Sequence, residues 1–354
     1  MPPPPTPSLT LPPPSPTTSL ITLQPLNTTL SLHVRTLNFF SPVIPGHESW
    51  NCPTMAFLIT NQRTGRRLLF DAGARKDYWN YSPFTAGRFE RGVNVLGMRV
   101  EKGVEEVLKG AGVELGRENG VGAVEEVIWS GRSLRQIAFT TPDTLQIGPF
   151  RAHDFFADGS FYLLDVPGHA VGHMCGLART TPTSFVLLGA DACHFPGSLR
   201  PSIYHPLPDT IPGLDRTLPS PCPCELFMDC HPAATEEEKR TRPYYSVSTE
   251  PGSVYVDPAA ANESVRGLME LDGSEDVLVC LAHDPGLFEV LPLLNDNPKA
   301  EIGDWKGKGL KEVTRWMFLN ELPRGGKAGR GPIVEGWWRE GKMVQRAEAL
   351  RRGE

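Results

Sequence analysis

Long apolar runs are missing from this chain. No stretch approaches the roughly 18 uncharged apolar residues that a membrane-spanning helix needs, so a helical span is excluded. Runs of Lys and Arg are missing too: 35 Lys plus Arg stand against 41 Asp plus Glu, for a net charge of −6. Nucleic acid and anionic membrane are therefore not expected as partners, and a small-molecule substrate is. The N-terminus has neither the basic start and continuous apolar run of a secretory peptide nor the arginines of a transit peptide, so a cytoplasmic location is expected. Cysteine is sparse and irregularly spaced, seven in 354 residues, which reads as reduced thiols and not as a disulfide framework. What is present is ordinary globular composition, 40% hydrophobic and 21% charged, enough for a large core.

Residues 1–30 stand apart. Met1–Leu20 is dominated by Pro, Ser and Thr, and the first charged side chain is Arg35. Proline fixes φ and removes donors, so this segment is expected to be an extended, solvated tail, with the folded domain spanning 31–354. Short apolar runs then recur at Ala56–Thr60, Leu68–Asp71, Val124–Ser130, Phe161–Val166, Met174–Thr180, Phe185–Ala190 and Val277–Ala282. Each has strand length, and several are apolar on both faces, as in a sheet covered on both sides. Ala157–Ser160 reads as a tight turn. Helical spacing links Val100, Val104, Val107, Leu108 and Ala111, with weaker candidates at Ser264–Leu271 and Val313–Leu319. Strand clusters with interspersed helices predict a layered α/β sandwich.

Three of these strands end in a His or Asp. Phe161–Val166 leads into Pro167-Gly168-His169, with His173 four residues on; Phe185–Ala190 leads into Asp191, with His194 soon after; Val277–Ala282 leads into His283-Asp284. Strand ends of an α/β sheet collect catalytic groups, because the sheet fixes their origin and the loops leave them open. Imidazoles with one carboxylate suit Zn²⁺ or Fe²⁺. Each residue also has a structural reading, as a hydrogen-bonded His or a turn-capping Asp. His173 reads as a supporting residue. His47 follows a Pro-Gly, but no strand delivers it.

The order Leu68-Leu69-Phe70-Asp71-Ala72-Gly73, Pro167-Gly168-His169-Ala170-Val171-Gly172-His173, Gly189-Ala190-Asp191 and Ala282-His283-Asp284 resembles the metallo-β-lactamase superfamily. Within it, the chain resembles fungal hydrolases related to quorum-quenching N-acyl homoserine lactonases, from about Leu32 to beyond His283. The resemblance implies an αββα sandwich and two metals, Zn²⁺ in the first place, with Fe²⁺ or Mn²⁺ as alternatives. It implies that His169 binds the first metal, Asp191 bridges both and serves as the catalytic carboxylate, and His283 binds the second. Asp71 would support the site.

The strongest signature of that family is absent. A His-x-His-x-Asp-His loop should follow the strand that here is Val124–Ser130, yet Gly131-Arg132-Ser133 follows at once, and no His occurs between His47 and His153. The sequence reads as a clean internal deletion at the Ser130–Gly131 junction, as a skipped exon or mis-spliced gene model would produce. The sandwich should then be incomplete on one side, and one metal or none is expected. The strand Val124–Ser130 is expected to sit beside the strands ending at His169 and Asp191.

Three functions compete. The leading one is a lactonase-like hydrolase, attacking a lactone or ester with metal-bound hydroxide and impaired by loss of the loop. The second is a catalytically inactive variant that keeps the fold and acts at most as a binding protein. The third is an interaction module stabilised by zinc on Cys222, Cys224, Cys230 and His231, a segment that can equally be a loop with reduced thiols. Cys193 reads as a buried thiol, since no base is placed for it. Trp337 and Trp338 most simply cover a hydrophobic face.

Overall fold

The computed structural model describes residues 4–14, 19–83, 86–87, 94–116, 123–128, 137, 139–212, 214–215 and 217–345. Two sheets face one another. The first orders its strands β17 (Lys342–Gln345), β16 (Gly336–Arg339), β5 (Val95–Val100), β1 (Ile21–Arg35), β3 (Ser49–Asn61), β4 (Arg67–Phe70) and β6 (Val124–Ile128). The second orders β15 (Val277–Leu281), β11 (Phe185–Ala190), β10 (Met174–Arg179), β9 (Phe161–Asp165), β8 (Phe150–Asp154) and β7 (Leu145–Ile147). Two-residue ladders pair β2 (Phe40–Ser41) with β14 (Ser246–Val247), and β12 (Thr210–Ile211) with β13 (Cys222–Pro223).

Packing explains the layering. Ile21, Leu23, Phe57, Ile59 and Phe70 of the first sheet meet Phe161, Leu163, Val186, Leu188 and Leu278 of the second in one apolar cluster. Every residue of β10, β11 and β15 is buried, as the runs apolar on both faces require. The helix Pro258–Gly273 covers the outer face of the second sheet through Ala261, Val265, Leu268 and Leu271. The shorter helix Val104–Gly110 covers part of the first sheet, with Val107 and Leu108 against Leu26, Leu58 and Val124. The result is the expected αββα sandwich. No helix among the described residues is long and apolar enough to cross a membrane.

Three expectations are corrected. Residues 21–30 are not part of a tail. They form the first two-thirds of β1, paired with β3 from Ile21 opposite Asn61 onward, and Ile21, Leu23 and Leu26 are fully buried. Alternation of apolar with polar residues overrides the absence of charge, which had made this stretch look like low complexity. Residues 4–14 are largely exposed but fastened to the domain: Leu9 and Leu11 join the outer cluster of the second sheet, and Arg179 Nη2 donates to the Pro12 and Pro13 carbonyls. Proline keeps its carbonyl, so a segment poor in donors can still be fastened through acceptors.

β6 is the third correction. It does not neighbour β9 or β11 but pairs in parallel with β4 at the edge of the facing sheet. Its half-exposed pattern, with Val127 53% exposed, suits an edge. The Asp71 N–H donates to the Ile128 carbonyl at 2.8 Å, tying the end of β6 to the end of β4. Trp129, Ser130 and the junction with Gly131 lie outside the described residues. Smaller differences concern Val100, which ends strand β5 before the helix begins at Val104, and Val313, which falls in a helix at Leu310–Thr314 followed by a 3₁₀ turn at Met317–Glu321.

Leu23→Ala tests the boundary. A fully buried leucine between two sheets should cost about 2–5 kcal/mol on truncation, read as a lowered urea midpoint at unchanged slope. A change within about 0.5 kcal/mol, as for an exposed site, would return residues 21–30 to a tail.

Candidate active site

Three strand ends bring the site together. β11 and β15 are parallel neighbours, so Asp191 and His283, each just past its strand, emerge side by side. Their contact is direct: His283 Nε2 lies 2.8 Å from Asp191 Oδ1. β9 delivers His169 from the same end of the sheet, its Nε2 3.5 Å from Asp191 Oδ2. The carboxylate thus turns one oxygen to each of the two histidines that the sequence singled out.

Glycine makes the His169 loop possible. Gly168 has φ +129°, and a Cβ there would stand 2.3 Å from the Ala261 backbone nitrogen. Close approach lets the Asp257 N–H donate to the Gly168 carbonyl at 2.9 Å and the Val256 N–H to the His169 carbonyl at 3.1 Å. The loop is therefore clamped to the start of the helix Pro258–Gly273. His173 supports it from behind, buried, with Nδ1 3.0 Å from the Val166 carbonyl.

The facing sheet fixes His283. Its Nδ1 is 2.9 Å from the Pro53 carbonyl of β3, while Nε2 faces Asp191. A ring between two acceptors is satisfied only when it carries both protons. Burial works against that charge, but the neighbouring Cys52 sulfur and Asp191 carboxylate hold His283 well above its ordinary pKa. Burial likewise opposes a charged Asp191, and the His283 hydrogen bond with the nearby His169 and His194 brings it well below the ordinary carboxylate range. For His169 and His194 burial dominates and lowers both, so these rings stay neutral with lone pairs to offer.

His194 is the residue the sequence reading passed over. Its Nε2 lies 3.8 Å from Asp191 Oδ1, its Nδ1 2.7 Å from Tyr255 Oη, and its ring stacks on His283 with centroids 5.3 Å apart. Potential ligand atoms of His169, Asp191 and His194 all lie within 4.8 Å of one another, the sole such cluster of His, Cys, Asp and Glu among the described residues. Its spacing from Asp191 was the available signal. No strand delivers it; the turn after Ala190, a residue at φ +45°, does.

Divalent metal use is implied by the relatives named below, and the donor set fits it. Two neutral imidazoles, His169 and His194, and the Asp191 carboxylate form a borderline-hard set, which His283 joins only on giving up a proton. His169 Nδ1 and His173 Nε2 are buried with no hydrogen-bond partner among the described residues, so this corner is not self-satisfied. Burial pushes the Cys175 thiol up, and the Asp71 and Asp191 carboxylates add to the rise; Asp71 itself stands at φ +62°.

Other candidates dissolve into structure. His47 is buried with Nδ1 2.6 Å from Tyr245 Oη. Cys193 is buried, donates to the Phe195 carbonyl, and burial pushes its thiol up to about 12. The Cys222–His231 segment does not converge. Cys224 meets Met228, Cys230 donates to the Phe227 carbonyl, and both His231 nitrogens are engaged, with the Arg242 carbonyl and the Ala233 N–H. Trp337 is buried in β16, in the cluster of Trp50 and Phe195.

Buried histidines predict the pH response. Burial lowers His47 and His205 to about 4. Unfolded, each titrates near 6.5, so their contribution to stability is complete above that pH and is lost as pH falls from 6.5 towards 4. Each can remove up to about 1.4 kcal/mol per pH unit in that window. Urea midpoints should therefore fall steeply from pH 6.5 to 4.5, less so in His47→Gln; a flat profile would contradict the assignment.

No protein-family model matches the chain. Metallo-hydrolase mfmC of Annulohypoxylon moriforme is 34% identical over 354 aligned residues, covering 85% of this chain and 87% of that protein. Gamma-lactamase FDB1 of Fusarium pseudograminearum is 34% identical over 336, covering 80% and 78%. Among solved structures, a quorum-quenching N-acyl homoserine lactone lactonase matches 78% of this chain and 97% of its own, with TM-score 0.41 and 15% identity. A two-sheet αββα sandwich gathers His169, Asp191 and His283 at its strand ends, and with relatives at this identity over most of both chains the protein belongs to the metallo-hydrolase family of these relatives.

Proposed function

We propose that this chain hydrolyses a small cyclic acyl compound, a lactone or γ-lactam, at a metal site built on Asp191. The carrying observation is the convergence of Asp191 with His169 at 3.5 Å and His283 at 2.8 Å. In this reading His169 and Asp191 hold a first ion, and Asp191 and His283 face a second position. A divalent ion there supplies Lewis acidity towards a carbonyl and makes hydroxide available near neutral pH. Water adds to the ring carbonyl carbon, the ring C–O or C–N bond breaks, and a hydroxy or amino acid is released. The relative named a gamma-lactamase supports the lactam arm.

The chain's own residues set access and geometry. Asp191 is 28% and His169 18% exposed against 4% for His194, so substrate reaches the carboxylate from the His169 side. His194 and Phe39, both buried and edge-on at 5.0 Å, form the opposite wall. The clamp on Gly168 holds His169 still, and Pro53 orients His283.

Turnover should be weak. A dinuclear site takes about three protein ligands per ion, and the His-x-His-x-Asp-His loop has no counterpart in the sequence. Alignment lengths support a missing segment: 85% of 354 residues is about 301, so some 53 of the 354 positions aligned with mfmC face nothing here. Purified protein loaded with Zn²⁺, Mn²⁺ or Fe²⁺ should be assayed by pH-stat against γ-lactones, acyl homoserine lactones and γ-lactams. We expect turnover at least 100-fold below that of a relative carrying the loop, and loss of it in His169→Ala and Asp191→Asn. Activity indifferent to both substitutions would end this reading; turnover matching the relative would end the claim of impairment.

A further inference from the structure

His194 is only a wall in the reading above, yet its Nδ1 is anchored on Tyr255 Oη and its Nε2 faces Asp191. We propose that His194 Nε2 is a ligand of the first metal position, completing a three-ligand set with His169 and Asp191 that the chain holds without the missing loop. This rests on the metal-dependent reading and adds one residue to it.

Distances separate a ligand from a hydrogen-bond partner. Bonds of about 2.1 Å in a tetrahedral site place neighbouring ligand atoms about 3.4 Å apart. Asp191 Oδ2 to His169 Nε2 is 3.5 Å and Asp191 Oδ1 to His194 Nε2 is 3.8 Å, so each imidazole stands near that edge length from one of the two carboxylate oxygens. The second is too long for a hydrogen bond, although His194 is 4% exposed and its Nε2 faces a carboxylate. His283, at 2.8 Å, makes the direct hydrogen bond instead. One ligand atom from each of His169, Asp191 and His194 thus lies within 4.8 Å of the others, a spacing an ion can share, while His283 closes directly on Asp191 Oδ1.

Tyr255 supplies the support that such a ligand needs. Its hydroxyl is 2.7 Å from His194 Nδ1, its ring stands edge-on to His169 and His194, and it is 6% exposed. With Nε2 on an ion, Nδ1–H donates to Tyr255 Oη, the outer hydrogen bond that fixes tautomer and ring plane. Three protein ligands with an open fourth position match a catalytic ion, not a closed structural one. One ion per chain should therefore bind.

Metal binding tests this without reference to turnover. Zn²⁺ and Co²⁺ should be titrated calorimetrically into the metal-free full chain, with stoichiometry by elemental mass spectrometry and the visible d–d spectrum of the Co²⁺ form recorded. We expect about one ion for the wild type, a Kd raised about 100-fold or more and an altered Co²⁺ band in His194→Ala, and a Kd raised about 10-fold in Tyr255→Phe. The nearer-sized His194→Gln reads the same loss if the alanine variant does not fold. Unchanged affinity and band in the His194 variants, with His169→Ala abolishing binding, overturns the role of His194 and leaves the metal-dependent reading standing. No binding by the wild-type chain overturns both.

Discussion

A single carboxylate with imidazoles around it is the constraint on which this structure turns. Asp191 sits where burial penalises its charge, and it stays ionised because His283 donates to it and His169 and His194 stand close. An uncompensated charge there would cost several kcal/mol. The fold therefore has to deliver imidazoles from separate places to one point. The parallel pairing of β11 with β15 sets Asp191 against His283, the antiparallel β9–β10–β11 run brings the His169 loop to the same edge, and the turn after Asp191 folds His194 back.

Both sheets and one helix hold the cluster. Pro53 of β3 accepts from His283, so the first sheet sets a ring belonging to the second. Helix Pro258–Gly273 approaches so closely at Ala261 that only glycine fits at 168, and that contact fixes the backbone of His169. Tyr255, just before the helix, reaches His194. Slippage between the layers would reach the site through any of these three contacts.

The segment after Asp191 has its own fastening. Arg200 forms a two-pronged pair with Asp272 at 2.8 and 2.6 Å, both buried, and Lys311 donates to the Asp272, Ser274 and Val277 carbonyls. The Arg200 guanidinium offsets the burial of Asp272 and keeps it below the ordinary carboxylate range. A charged pair of this kind contributes more to one geometry than to net stability. Here it ties the run Asp191–Arg200 to the end of the helix that clamps His169.

Much of this was legible in the sequence. Apolar runs located β9, β11 and β15, and the first His or Asp past each run was His169, Asp191 and His283, because a strand's direction fixes what stands at its end. Three things were decided only in three dimensions. Residues 21–30 looked like a tail because they carry no charge, and only pairing with β3 showed alternate side chains buried. The strand at Val124–Ile128 was assigned to the wrong sheet, because local pattern records that a strand is half-buried and not which neighbour it pairs with. His194 follows no strand, and its place beside Asp191 depends on a left-handed turn at Ala190 and a hydrogen bond to a tyrosine 61 residues away. Sequence sets which side chains can sit on a sheet edge; only the packed layers set which of them meet.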